Sequence, residues 1–139
     1  MSIVTCNGCF DGLHAGHLFY LGYCAAQADH LIVGINSDKY IISKKRPVPI
    51  FNEDQRKQAL LDLKIVKKVI IFNDPDPSRF IENVCPDVHC TGEEYGNQCI
   101  DACVCRELGI DFVLVPRIGE WSTTKLADSF IKEKERNDD

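Results

Sequence analysis

Ile3-Val4-Thr5-Cys6-Asn7-Gly8-Cys9-Phe10-Asp11-Gly12-Leu13-His14-Ala15-Gly16-His17 runs from a short β-branched segment through three glycines towards an apolar stretch with helical spacing. Ile3 to Cys6 predicts a buried strand, and Leu18, Leu21, Cys24, Ala25 and Ala28 predict a helix from about residue 17 to residue 27. The glycines between them let the backbone turn sharply and come close to a bulky ligand. A helix that opens on such a loop points free N–H groups and the positive end of its dipole at whatever the loop holds, which favours phosphate. His14 and His17 lie three apart and share a face on the first helical turn. Two imidazoles there can donate hydrogen bonds to a phosphate that gains charge in a transition state. The same pair in isolation also fits a metal site, with Asp11 as the nearby third ligand, although no HExxH pattern is present.

Outward from this stretch, the two kinds of segment alternate to the end of the chain. Residues 31–35, 69–72, 88–90 and 112–115 read as buried strands. Asn52 predicts an N-cap, followed by an acidic first turn and an apolar face of Leu60, Leu61 and Leu63. Ser78 predicts the cap of a short helix holding Phe80, Ile81 and Val84. A further helix is expected from Asn97 to Leu108, closed by Gly109, and a last one from Ser122 into the charged tail 132–139. Strand and helix in alternation predict an α/β fold, a five-stranded parallel sheet covered on both faces in three layers. Ligands in such sheets bind beyond the carboxyl ends of the strands. No internal repeat or low-complexity linker interrupts residues 1–139, which read as a single domain.

Composition narrows the function classes. Hydrophobic residues at 45% and charged residues at 27% describe a soluble globule rather than a disordered chain. No apolar run approaches the ~20 residues that span a bilayer, and the N-terminus lacks a secretory pattern, so a cytoplasmic protein is expected. Sixteen basic against twenty-one acidic residues give a net charge of −5, the wrong sign for a general nucleic-acid binder. An anionic ligand therefore needs a local basic pocket. The eight cysteines lie partly inside apolar periodic segments, which predicts reduced thiols rather than a disulfide framework. Cys99, Cys103 and Cys105 form no paired CxxC knuckles, and no residue is assigned to a metal.

Gly8 to His17 resembles the GxFDxxHxGH signature of the cytidylyltransferase-like nucleotidyltransferases, a resemblance extending from Thr5 to about Leu126. It implies a Rossmann-like fold and attack by a substrate phosphate on the α-phosphate of a nucleoside triphosphate, with magnesium (Mg2+) bound and pyrophosphate released. In that family the signature histidines, here His14 and His17, stabilise the transition state. Gly8, Cys9, Phe10, Asp11 and Gly16 would then surround the nucleotide. A basic loop after the second strand matches Lys44, a catalytic candidate, and Arg46, a nucleotide-binding one. Trp121-Ser122-Thr123-Thr124 resembles the family's [IC]STT segment, three hydroxyls at a helix start that cradle phosphates. Arg117 resembles the arginine of RTxGISTT, with the glycine here displaced by one position. Gly92, Glu94 and Tyr95 resemble the GGDY stretch that lies against base and ribose. Asn36-Ser37-Asp38 resembles NSD, and Arg56 fits the arginine of an EQR helix start, so Asn36, Asp38 and Arg56 are expected to bind the acceptor substrate.

The resemblance points to two branches. NSD, Arg46-Pro47-Val48 and the hydroxyl run resemble the ATP-using heptose 1-phosphate adenylyltransferases. Arg117 with the VPRxxxxSTTK sequence resembles the CTP-using glycerol-3-phosphate cytidylyltransferases. The expected partners are a nucleoside triphosphate and a small phosphorylated sugar or polyol, with no nucleic acid and no membrane, and the family's habit implies a homodimer. A binder that kept the fold without the chemistry, and a metal-dependent hydrolase using His14 and His17 as ligands, remain alternatives at this level.

Overall fold

The structure, a computed structural model, describes residues 1–43 and 49–116. Among these, β1 (Ile3–Gly8), β2 (His30–Asn36), β3 (Val66–Phe72), β4 (Val88–Gly92) and β5 (Asp111–Val115) form one parallel sheet in the order β3-β2-β1-β4-β5. The intervening helices are α1 (Ala15–Ala25), α2 (Asp38–Ser43), α3 (Glu53–Leu61), α4 (Ser78–Val84) and α5 (Ile100–Leu108). The chain winds outward from β1 to β3, crosses back, and continues on the other side through β4 and β5. Loops leaving β1 and β4 diverge at that reversal, so a crevice opens at the carboxyl ends of the strands. The α/β, Rossmann-like architecture with a five-stranded parallel sheet is the one the alternation predicts.

The strand sequences follow from burial on both faces. In β2, Leu31, Val33 and Ile35 pack into a core with Leu21 and Cys24 of α1 and Leu60 of α3. Ile32 points the other way, against Phe80 and Ile81 of α4 and Val104 and Cys105 of α5. Each fully buried leucine or isoleucine contributes roughly 1.5–3 kcal/mol, so an all-apolar strand is favoured over an alternating one. Gly34 is set by the same packing. A Cβ there would lie 2.9 Å from the Phe80 ring, which rests on the bare backbone and stacks on Phe72 at 5.7 Å.

Several helix ends differ from expectation for local reasons. α1 begins at Ala15, two residues early, because the His14 imidazole caps it by accepting from the Gly16 N–H at 3.0 Å. Ser78 does not cap α4. Pro77 holds the cap position and the Asp76 carboxylate accepts from the Ser78 N–H at 2.8 Å, so the acid ahead of the helix takes that role. α5 starts at Ile100 rather than Asn97, since residues 93–95 form a 3-10 turn closed by Gly96 at φ 68. α3 keeps its predicted cap: Asn52 Oδ1 accepts from the Gln55 N–H at 2.8 Å while Gln55 Oε1 accepts from the Asn52 N–H at 2.9 Å. It ends at Leu61, which leaves Leu63 in the following turn. Gly109 closes α5 in the left-handed conformation, as its residue type predicts.

Candidate functional site

The glycine-rich loop is fixed by packing within itself and by hydrogen bonds to the segment before α3. Phe10 takes a left-handed φ of 51 and buries its ring, which meets the His17 ring edge-on at 5.4 Å. The same ring lies 3.0 Å from where a Gly8 Cβ would stand, so glycine at position 8 makes room for it. Asp11 turns its carboxylate to the backbone N–H groups of Ile50 and Phe51, both at 2.9 Å, and ties the loop to the segment that enters α3. Asp11 is therefore a brace within the loop.

Arg56 departs from its expected role. Its guanidinium donates to the carbonyls of Phe51 (3.2 Å), Cys9 (2.9 Å) and Asn36 (2.8 Å) and pairs with the Asp38 carboxylate at 2.7 Å. The side chain has 0% exposure, so no face remains on which a substrate phosphate can sit. A guanidinium with several donors in a fixed fork joins three carbonyls and a carboxylate at once, which explains why it is drawn inside. Asp38 is engaged too, accepting from the Glu53 N–H while Glu53 accepts from the Asp38 N–H, each at 3.0 Å. Desolvation opposes ionisation of Asp38, yet the Arg56 guanidinium and the Glu53 N–H together hold its carboxyl below the usual range. These two residues lock the carboxyl ends of β1 and β2 to α3.

His14 and His17 stack with ring centroids 3.8 Å apart and an angle of 29°. His14 Nδ1 accepts from the Gly16 N–H, and His17 Nδ1 accepts from the His14 N–H at 3.3 Å. Both Nδ1 lone pairs being in use, the hydrogen-bond pattern assigns each neutral ring its proton on Nε2. Burial and then the neighbouring His14 lower the His17 pKa to about 4, against a hydrogen bond with the Gly12 backbone that raises it. At neutral pH His17 is thus an uncharged donor, and stacking costs no charge repulsion. The shared face expected from the spacing is present, built by a cap rather than by the helix body.

At the sheet reversal lies a cleft of about 390 Å³, and neither His14 nor His17 lines it. Gly8 and Gly92 at the ends of β1 and β4, Cys9 from the first loop, Asn36 from β2, and Tyr95 from the turn after β4 all line it. Cys9 Sγ donates to Asn36 Oδ1 at 3.5 Å, joining two of these walls. Glu94 is exposed and folds its carboxylate back over Gly92, where a Cβ would meet it at 2.5 Å. Tyr95 is 65% exposed, an open aromatic face at the rim. Gly16 lies in the first turn of α1 rather than on the cleft wall. Lys44, Arg46, Arg117, Trp121, Ser122, Thr123 and Thr124 lie outside the described residues.

The cleft also uses residues that the sequence reading did not single out. Thr91 and Asp101 form part of its lining, and both hydrogen-bond with the buried His89. An acid in the first turn of a helix reads as a dipole partner, and a histidine inside a strand reads as a core residue. The available signal was the recurrence of Thr5, His89 and Thr91 within otherwise apolar strands. Among the described residues no group of three or more His, Cys, Asp or Glu is placed to hold a metal ion. All eight cysteines are free; a hydrogen bond with Cys6 and then burial push the Cys24 thiol up, and a hydrogen bond with Cys24 and then burial push Cys90 up, keeping both protonated.

A cytidylyltransferase-like profile matches residues 5–133. The chain belongs to the cytidylyltransferase-like family of nucleotidyltransferases. It is 39% identical over 128 residues to the bifunctional protein HldE of Azotobacter vinelandii, covering 91% of this chain and 27% of that one. HldE of Pseudomonas paraeruginosa is similar at 38% identity over the same shares. The chain therefore spans about a quarter of the length of these relatives. A lipopolysaccharide core biosynthesis protein from Thermoplasma volcanium has the same fold, with a TM-score of 0.68 and 30% identity over 88% of this chain and 99% of that one. Pantothenate synthetase from Thermus thermophilus, at 16% identity and a TM-score of 0.62 over 86% of this chain and 57% of that one, shares the fold alone. No helix among the described residues is long and apolar enough to cross a membrane.

Proposed function

We propose that the chain transfers a nucleoside monophosphate from ATP to the phosphate of a phosphorylated sugar, releasing pyrophosphate. The observation that carries this reading is the pair of stacked, neutral imidazoles whose Nδ1 atoms are pinned by backbone N–H groups at the start of α1. Similarity to HldE and to a lipopolysaccharide core biosynthesis protein supports a sugar phosphate as acceptor, and the NSD and RPV resemblances support ATP.

An acceptor phosphate oxygen forms a bond to the α-phosphorus in line with the leaving oxygen. The bond from the α-phosphorus to the bridging oxygen breaks, and its electron pair leaves with pyrophosphate. The Nε2–H of His14, and that of His17 in exchange for the Gly12 carbonyl, donate to oxygens whose charge grows in the transition state, and an acceptor that is already an anion needs no strong base. Magnesium supplies charge neutralisation when it accompanies the triphosphate. The described residues contain no acid cluster for it, and Asp11 is committed to two backbone N–H groups, so no described side chain is assigned to it. The loop at Lys44 and Arg46 and the hydroxyls of Ser122 to Thr124 belong to the same reading, as does pairing into a homodimer.

The test is pyrophosphate release from ATP and CTP, each with hexose 1-phosphates, heptose 1-phosphate and glycerol 3-phosphate. ATP with a sugar 1-phosphate is the expected productive pair, and CTP with glycerol 3-phosphate is the second, favoured by Arg117 and the sequence after it. Triphosphate binding without pyrophosphate from any acceptor overturns the transferase in favour of a nucleotide-binding protein. His14→Ala and His17→Ala should each lower kcat about 10²-fold or more with folding intact. Near-normal turnover in either variant removes that histidine from the mechanism.

A further inference from the structure

β3 ends the sheet, and among the described residues it pairs as a strand with β2 alone. An outer strand offers a row of backbone N–H and C=O groups to any other extended chain. The second half of β3, Val69-Ile70-Ile71-Phe72, is uncharged, mostly β-branched and free of proline and glycine, a composition that pairs readily. Every copy of the chain carries the same edge, so the strand most available to extend the sheet is the β3 of a second copy.

The first half of the strand is built differently. Leu31 of β2 faces Val66 and Ile32 faces Lys68, so Lys67 has no residue opposite it and forms a bulge. The core shows what the extra residue does. Val66 and Val69 are three apart, yet both pack into the core shared with α1 and α3. Strict alternation would send them to opposite faces. After the bulge, Ile71 stays with that core while Ile70 and Phe72 turn to α4 and α5. The same irregularity leaves two consecutive lysines, Lys67 and Lys68, exposed. A bulge twists the edge away from a flat partner, and a strand laid across it would take two ammonium groups out of water. Beyond Phe72 the chain runs Asn73-Asp74-Pro75, where Pro75 has no N–H to donate. Regular pairing is thereby confined to residues 69–72, shorter than the usual strand of about five to six residues.

We propose that the bulged lysine pair, Lys67 and Lys68, keeps the β3 edge from accepting the β3 strand of a second copy, so that the sheet stops at five strands. The inference is independent of what the cleft binds.

Sedimentation velocity of the full chain over a range of concentrations tests it, each variant being compared with wild type at the same concentration, so a homodimer built on another face does not enter the comparison. Lys67→Thr combined with Lys68→Val should self-associate about tenfold or more tightly than wild type, the gain from a few added cross-strand pairs. Both positions are exposed, so thermal melts should show the variant folded, and Lys68→Thr alone supplies a milder variant with the same direction of change. Lys67→Glu combined with Lys68→Glu keeps the edge charged and should sediment as wild type. Lys39→Thr removes an exposed lysine from α2, away from the edge, and should do the same. Unchanged sedimentation of both neutral edge variants overturns the proposal. So does association of the glutamate or the Lys39 variant as strong as that of the neutral pair, since charge at this edge would then not be what prevents pairing.

Discussion

Arg56→Met removes the guanidinium while keeping most of the apolar stem, and its consequences separate a brace from a ligand-binding residue. The change leaves the carbonyls of Cys9, Asn36 and Phe51 and the Asp38 carboxylate without their donor. Orphaned buried acceptors cost about 1–3 kcal/mol each at full burial, and breaking a buried ion pair from one side costs about 3–5 kcal/mol. Asp38 keeps 29% side-chain exposure, so water solvates part of its freed charge, and the carbonyls at the loop edge can hydrate. The loss is therefore set below what those lower bounds add up to, at about 4 kcal/mol, or a fall in Tm of roughly 10–20 °C for a domain of this size. Urea and thermal melts read this directly. Combining Arg56→Met with Asp38→Asn should give a loss smaller than the two single losses together by about 1–2 kcal/mol, since both act on one bond. Arg56→Lys should recover less than half, because an ammonium cannot span three carbonyls and a carboxylate. If instead Arg56→Met melts within about 2 °C of wild type while KM for the acceptor rises tenfold, the guanidinium contacts substrate and the bracing argument is wrong.

Two further perturbations follow from single contacts. Because the folded His17 pKa is lowered to about 4 from the ordinary 6.5, the unfolded chain takes up a proton first on acidification. Stability is thus unaffected above about pH 6.5 and falls between there and pH 4, by about 1–2 kcal/mol after solvent screening of this partly exposed ring. His17→Asn should flatten that part of the stability-against-pH curve, and an unchanged curve contradicts the assignment. Gly34→Ala drives a methyl to 2.9 Å from the Phe80 ring and should cost about 1–3 kcal/mol in denaturant melts. Losses within about 0.3 kcal/mol would mean that α4 shifts freely away from the sheet.

What could be read from the chain alone was whatever local physics decides. Alternation of buried strands with capped helices gave the sheet, and Asn52 with Gln55, or Gly109 in a left-handed conformation, marked helix ends through contacts within four residues. Ser78 failed as a cap because the helix starts one residue earlier, with Pro77 at the cap position and the Asp76 carboxylate taking the Ser78 N–H. The geometry of a candidate pair was legible where one loop contains it, as in the shared face of His14 and His17. Arg56 was misread because a guanidinium near a phosphate motif and a guanidinium buried under it have the same sequence. Only the approach of Cys9, Asn36 and Phe51, brought in from three different elements, makes the difference. Asp101 was passed over for the same reason. Its partners Thr5, His89 and Thr91 lie on two other elements, and burial rather than spacing gives it meaning.

For the proposed function, the burial of Arg56 bears on how an acidic chain would host a polyanion. Arg56 is neutralised by Asp38, and His17 stays uncharged at pH 7, so the described part of the site offers hydrogen-bond donors in place of net charge. Neutral donors at the start of a helix bind a phosphate oxygen without demanding a counter-charge when the product leaves, and they strengthen as charge develops on that oxygen. A site made of fixed cations would hold the triphosphate ground state and the transition state about equally, which lowers KM without raising kcat. Phe10 serves the same pair: its strained backbone seats a ring between Gly8 and His17, so packing joins hydrogen bonding in holding that imidazole.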